Sequence, residues 1–225
     1  MSGARSIVLA AFAAGSLIPA VARAQAAGHV AGADARKGFE DSWYWGAKGG
    51  VLRFGTLTEG NVTAPLAGGE WLITHRRGAL LVGAEQAFFD KTSAVYDAQA
   101  EDRTRGVSIR DARRYSVAAL AFPVRLGPVR PYAGLGVAVE VIRSAKPVGD
   151  FQDMSQLNTV GEEIDQGQSR TAAFLIAGAQ AQLGRAAFFV QGNAAGAQAR
   201  SLWNKGGTAQ LEAGVRFNLA PSSDR

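Results

Sequence analysis

The chain has 225 residues, enough for one domain of ordinary size, and its formal net charge is +5. It contains no cysteine, which excludes a disulfide framework and any thiolate metal or redox chemistry. Its basic residues are spread thinly apart from one group at 103–114. A nucleic-acid partner is therefore not expected, because that function needs a concentrated basic face.

The first residues have the pattern of an export signal. Arg5 supplies a positive start, residues 7–18 an apolar core, and residues 22–24 a small-residue cleavage site before Gln25. The apolar run is too short to span a membrane as a helix, and Pro19 breaks it. We predict four segments: a cleaved signal peptide at 1–24, a flexible periplasmic lead-in at 25–42, a β-barrel at 43–219 and a polar tail at 220–225.

After the lead-in, apolar residues alternate with polar or small ones, which is the two-residue period of a β-strand. The alternation is clean near residue 136, where Leu135 and Val137 share one face while Gly136 and Glu140 share the other. It fails at 117–122, which is apolar throughout, so the faces of that strand stay unassigned. The predicted strands are 43–54, 69–75, 79–89, 115–124, 129–142, 169–183, 186–198 and 210–219.

The connections between these strands alternate in length. Long polar connections are expected at 55–66, 90–105 and 144–168, and tight turns at 76–78, 127–128 and 184–185. Transmembrane barrels differ at their two ends in this way, with short periplasmic turns and long outer loops, whereas a Greek-key sandwich does not. The sequence therefore predicts an all-β fold, an eight-stranded antiparallel up-and-down transmembrane β-barrel in the cell outer membrane.

Three short motifs resemble the small bacterial outer-membrane β-barrel proteins of the OmpA-like transmembrane-domain and OmpW type. They are residues 45–50 (Trp-Gly-Ala-Lys-Gly-Gly), 131–136 (Pro-Tyr-Ala-Gly-Leu-Gly) and the last strand. The resemblance implies a C-terminal assembly signal, read by the barrel-assembly machinery, with periplasmic chaperones and outer-membrane lipids as further partners. The residues that match this signal are Glu212, Gly214, Phe217 and Leu219. Six residues follow Leu219, where many relatives end on a Phe.

An eight-stranded barrel is only wide enough for side chains to fill its lumen. We expect the inward charges to pair and plug it, since an unpaired buried charge is costly. A narrow channel or a small apolar-ligand conduit remains the alternative. The predicted lumen-facing residues are Lys48, Glu70, Glu85, Glu140, Glu212 and Arg216.

Aromatic residues near the strand ends are expected to form belts at the membrane interfaces. Alternation alone leaves open a soluble lipocalin-like binder, in which the apolar faces would point inward. The expected belt residues are Trp43, Tyr44, Trp45, Trp71, Phe88 and Phe217.

Catalytic and metal sites are not indicated. His75, expected on the lipid face, has no serine two residues away and no evident acid, which disfavours a lipid A-modifying barrel enzyme. A group of acids in the third long connection lacks the EF-hand spacing and is expected to be a solvated loop. We therefore predict a non-enzymatic protein without cofactors, whose role is structural or depends on surface interactions of its long outer loops. The acids are Asp150, Asp153, Glu162, Glu163 and Asp165.

Overall fold

The computed structural model describes Phe39, residues 41–197, Leu202, Trp203 and residues 206–219. The predicted signal peptide at 1–24, the polar tail at 220–225 and most of the lead-in at 25–42 lie outside the described residues. Phe39 and Ser42, which belong to the expected flexible lead-in, are buried.

Eight strands form a closed antiparallel barrel in chain order, which confirms the predicted fold class. The described helix, α1, precedes β6 and contacts β3, β5 and β6. The strands are β1 Trp43–Phe54, β2 Val62–His75, β3 Gly78–Tyr96, β4 Thr104–Ala121, β5 Val129–Pro147, β6 Ser169–Leu183, β7 Ala186–Ala195 and β8 Thr208–Asn218, and α1 is Met154–Gln168.

The last strand closes the barrel against the first. Trp45 pairs with Phe217 and Lys48 pairs with Gly214 along the β1–β8 ladder. Closure leaves no free sheet edge, so the backbone groups of all eight strands have a neighbour on both sides over the common height of the barrel. The end with the tight turns at 76–77, 122–128 and 184–185 is called the turn end below. The opposite end, with the connections at 55–61, 97–103, 148–168 and 196–207, is called the loop end.

Large apolar side chains cover the outside of the barrel. On β5 the outward positions alternate from Val129 to Val141, and Leu135 is 67% exposed. These positions span roughly 40 Å along the strand at ~3.4 Å per residue, or about 30 Å along the barrel axis at a tilt near 40°. That height matches the hydrocarbon core of a bilayer. An apolar exterior of this extent is the opposite of the lipocalin-like alternative, which requires a polar exterior.

Within the described ranges, no helix combines the length and apolarity needed to cross a bilayer.

Strand β2 begins earlier than predicted. The sequence predicts a loop at Pro65, yet this residue pairs with Val51 of β1. The ladder between β2 and β3 begins only at Leu66, so Pro65 lies beyond that ladder and needs no N–H on that side. A proline at such a strand edge mimics a loop signal.

Most of the second predicted loop, 90–105, is also strand. Strand β3 continues to Tyr96 and β4 starts at Thr104. The ladder between them shifts register between Ala87 and Asp90, and Asp111 adopts a positive φ of 52° opposite this shift. The Asp111 side chain accepts a hydrogen bond from the Phe89 backbone N–H at 3.2 Å. This bulge interrupts the two-residue period and hides the strand from a sequence reading.

The third predicted loop, 144–168, is likewise not a solvated loop. Strand β5 reaches Pro147, and α1 follows after a short connection. Asp153 caps α1, because its side chain accepts a hydrogen bond from the Gln156 backbone N–H at 2.8 Å. The buried face of α1 consists of Gln156, Val160, Ile164 and Gly167.

Candidate functional site: a charged layer inside the barrel

The barrel interior consists of three layers stacked along its axis. Along β1, inward-facing Tyr44 belongs to an apolar cluster at the turn end, Lys48 to a charged middle layer, and Leu52 and Phe54 to a second apolar cluster at the loop end. The same order occurs on β2, where Leu72, Glu70 and Leu66 belong in turn to these layers. The charged layer is therefore covered by apolar side chains on both sides.

The middle layer contains four cationic and four anionic side chains. All eight residues are at least nine-tenths buried. Equal numbers of opposite charges make this layer formally neutral, which is the condition under which ionised groups are tolerated away from water. We call these residues the charged layer: Lys48, Arg114, Arg170, Arg216, Glu70, Glu85, Glu140 and Glu212.

Ion pairs join the charged layer into one chain across the lumen, with cations and anions alternating. Arg170 binds Glu140 at one end and Arg216 binds Glu70 at the other. Lys48 is the branch point, because its Nζ contacts three carboxylates. The distances are Arg114–Glu140 3.4 Å, Arg114–Glu85 3.1 Å, Lys48–Glu85 2.7 Å, Lys48–Glu212 3.0 Å, Lys48–Glu70 3.6 Å and Arg216–Glu70 2.5 Å.

Arg216 is the most fully enclosed cation of the layer, with 0% of its surface exposed. Besides Glu70 it donates to Gln180 Oε1 at 2.6 Å and to Gln191 Oε1 at 3.1 Å. Its guanidinium lies 3.9 Å from the centre of the Phe189 ring. Three different nitrogens and the flat face of the guanidinium are thus all used, which a lysine could not reproduce.

The six predicted lumen residues all lie in the charged layer, and two further members, Arg114 and Arg170, were not identified from the sequence. The six predicted residues carry four negative charges and two positive charges. Two further cations are needed to make this inward set neutral. Arg170 also falls on the inward face if the period of β6 is extended backwards from Leu175. Arg114 had no such signal, because the apolar run at 117–122 obscures the faces of β4.

The expected aromatic belt lies mostly outside the barrel. Trp43, Trp45, Trp71, Phe88 and Phe217 are exposed on the outer face. The prediction that Tyr44 belongs to this belt is wrong, because Tyr44 is completely buried in the turn-end cluster. The strict alternation of β1 places Tyr44 opposite its two tryptophan neighbours.

His75 lies on the outer face at the turn end, where the structure adds a partner that the sequence did not reveal. Its Nδ1 is 2.5 Å from Asp41 Oδ1, and both side chains are about 70% exposed. This contact is a hydrogen bond between an imidazole and a carboxylate. The pair is therefore an exposed contact between the lead-in and β2.

The described residues contain no group of three or more His, Asp or Glu side chains arranged to hold a metal ion. Of the acids in the third predicted loop, Asp153 serves as the cap of α1.

At the loop end, Asp97 fastens α1 to the β3–β4 hairpin. Its Oδ2 accepts hydrogen bonds from Arg105 Nε at 2.7 Å and from Gln156 Nε2 at 2.9 Å. Arg105 also donates to the Asp150 carbonyl at 2.9 Å and lies over the Phe151 ring. The hydrogen bond from Arg105 is the main cause of a lowered pKa of Asp97. These hydrogen bonds hold α1 over the apolar cluster at the loop end.

The architecture is therefore a closed eight-stranded up-and-down β-barrel with an apolar exterior and a polar, ion-paired interior, the arrangement of membrane-spanning barrels. Among solved structures, the fold is similar to that of Neisserial surface protein A (NspA). The two share 12% sequence identity and a TM-score of 0.52, over 79% of this chain and 97% of that chain. This similarity confirms the fold-level resemblance to small outer-membrane barrels.

A weaker similarity exists to Ail, the attachment invasion locus protein of Yersinia pestis, with 11% identity and a TM-score of 0.44 over 80% of this chain and 100% of that chain. No family model and no curated protein sequence matches the chain.

Proposed function

We propose that this protein is a non-enzymatic outer-membrane β-barrel that does not conduct, and that it acts as a structural or surface-interaction element through its loop end. The carrying observation is the charged layer, in which seven ion-paired side chains form a continuous chain across the lumen and Glu212 joins it at Lys48. An aqueous channel needs charges that are exposed to water. The charges of the charged layer are instead paired with one another and covered by apolar clusters on both sides.

The orientation follows from the connections. Short turns face the periplasm and long connections face outwards in bacterial barrels of this kind, so the turn end is periplasmic and the loop end is external. The chain would reach this location by the export signal at 1–24. Periplasmic chaperones and the barrel-assembly machinery would then act on it, the latter reading Glu212, Gly214, Phe217 and Leu219.

The loop end supports a surface role because the wall of the barrel extends beyond the apolar band there. Outside that band the exterior becomes charged, with an exposed ion pair of 2.5 Å between Arg110 and Asp90. The interior stays apolar at this height and contains Val107 and Ile109, which are completely buried. A well-packed extension with a polar exterior presents a rigid external surface, to which α1 adds exposed Glu162 and Asp165.

Site-directed labelling tests both the location and the orientation. The chain has no cysteine, so Glu162→Cys at the loop end and Arg125→Cys at the turn end each introduce a single thiol. We expect a membrane-impermeant maleimide to label the Glu162→Cys protein in intact cells and the Arg125→Cys protein only after the outer membrane is broken. Labelling in the reverse order would contradict the orientation. Recovery of the protein in the soluble periplasm would contradict the membrane location.

A further inference from the structure

A cavity of about 540 Å³ lies at the turn end between the β2–β3 turn and the β4–β5 turn. Among the described residues its lining contains four arginines, three apolar residues and no acidic side chain. Four guanidinium groups around one cavity without a lining carboxylate create a strong local positive potential. The arginines are Arg76, Arg77, Arg125 and Arg130.

Three of these arginines have no ion-pair partner among the described residues. Arg76, Arg77 and Arg125 make no ion pair with any acid in the described part of the chain. Arg125 donates its Nε to the Gly127 carbonyl at 2.9 Å. This situation contrasts with the charged layer, where every cation is paired with a glutamate. A bound anion would supply these three arginines with the negative charge that they lack among the described residues.

The two arginine-bearing turns are joined through the backbone. Arg76 adopts a positive φ of 52°, a conformation in which glycine or asparagine is the usual residue. At the same turn the Arg77 carbonyl accepts a hydrogen bond from the Phe122 backbone N–H at 2.7 Å, which joins the two turns that form the cavity. The backbone thus fixes the relative position of the two arginine-bearing turns.

The surroundings favour a lipid over a soluble anion. Val124 and Leu126, in and beside the lining, are exposed apolar residues on the β4–β5 connection. The outer wall next to the cavity continues with exposed Leu80 on β3 and Val117 on β4. A molecule with a phosphate at the arginines would find an apolar surface for its acyl chains along this wall.

We propose that this cavity is a binding site for the headgroup of an anionic phospholipid, with a phosphate contacted by Arg76, Arg77 and Arg125 and with the acyl chains along β3 and β4. Guanidinium groups bind phosphate oxygens in bidentate fashion, and the lipid is that of the periplasmic leaflet. The proposal rests on the membrane location given under the proposed function. It adds a specific ligand at the turn end that a purely structural barrel does not need.

Native mass spectrometry of the refolded barrel in neutral detergent tests this site, with short-chain phosphatidylglycerol and phosphatidylcholine as probes. We expect tighter binding of phosphatidylglycerol, and a loss of about tenfold or more in the Arg76→Gln/Arg125→Gln variant, because each basic residue near an anionic surface contributes a few-fold. The control variant Arg103→Gln/Arg143→Gln removes two exposed charges from the loop end and should bind as the parent does. Arg103, like Arg76, has a positive φ.

Equal binding of phosphatidylglycerol to the two variants would overturn the proposal. Inorganic phosphate that displaces the lipid at the same concentration would overturn it too, by showing a free-anion site. Insertion into pure phosphatidylcholine vesicles, read by heat-modifiable gel mobility, is measured separately for every variant. A protein that fails to insert would contradict the proposed function, whereas normal insertion without phosphatidylglycerol preference would contradict the lipid site alone.

Discussion

Arg216 Nε and Glu70 Oε1 lie 2.5 Å apart inside the barrel, and neither residue has any exposed surface. Removing one member of such a pair leaves the other charge buried without compensation, which costs about 3–5 kcal/mol. We therefore expect Glu70→Gln to lower the free energy of unfolding by that amount, measured by urea titration in lipid vesicles with tryptophan fluorescence.

The matched control for this variant is Glu59→Gln. Glu59 pairs with Lys91 at 3.0 Å, but both side chains are more than a third exposed, so its removal should change stability by less than about 1 kcal/mol. Equal effects of the two substitutions would show that the charged layer does not stabilise the fold.

Gly214 illustrates how closely the interior is packed. A Cβ at this position would lie 2.8 Å from two carbon atoms of the Phe189 ring, on which the Arg216 guanidinium rests. We expect Gly214→Ala to lower stability by about 1–3 kcal/mol through overpacking. Gly49→Ala should have little effect, since its Cβ would point outwards with only an ordinary contact of 3.7 Å. A tolerated Gly214→Ala would contradict the inward packing of β8.

Phe217 tests the assembly signal separately from stability. Its ring is on the outer face, where β8 pairs with Trp45 of β1. We expect Phe217→Ala to reduce the outer-membrane level of the protein severalfold in cells while the purified barrel still refolds. Leu211→Ala removes a similarly exposed side chain from the same face of β8 and should leave the level unchanged. Normal levels of the Phe217→Ala protein would refute the signal.

Asp97 makes the position of α1 dependent on pH. Its pKa is lowered from the ordinary 3.8 in the folded protein, mainly by the Arg105 hydrogen bond, so the carboxylate stabilises the docked helix above pH 3.8. The stabilisation is lost as the pH falls further through the lowered pKa. The protection factors of the α1 amides, that is the intrinsic exchange rate divided by the measured rate at the same pH, should therefore be high at neutral pH and fall at the acidic limit.

The substitution Asp97→Asn should accelerate exchange in α1 already at neutral pH. Asp102→Asn is the control, because the hydrogen bonds that Asp102 accepts come from nearby Thr104. If the two variants exchange alike, Asp97 does not hold the helix in place.

The number, order and faces of most strands could be predicted because lipid outside and a narrow lumen inside impose a strict alternation. The register of β1 with β8 places small residues beside long charged ones, as Lys48 beside Gly214 shows. Where the alternation was absent, at 117–122, the prediction failed and Arg114 was missed. The ion pairs themselves depend on the register of the closed sheet, which no local pattern contains.

The loop end was the least predictable region, although one signal was present there. The residues Asp153 and Gln156 form a capping pattern, and Val160 and Ile164 follow at helical spacing. The many acids of this segment suggested solvent and obscured the apolar stripe. The strand extension beyond Phe89 was hidden for a different reason, because a bulge shifts the period by one residue.

Planar-bilayer recording of the refolded wild-type barrel tests the central claim, that the charged layer closes the lumen. With Lys48 held by three glutamates and the layer covered by apolar clusters, we predict insertion without conductance steps. Reproducible single-channel steps from protein that shows heat-modifiable mobility would contradict a plugged barrel and support the narrow channel instead.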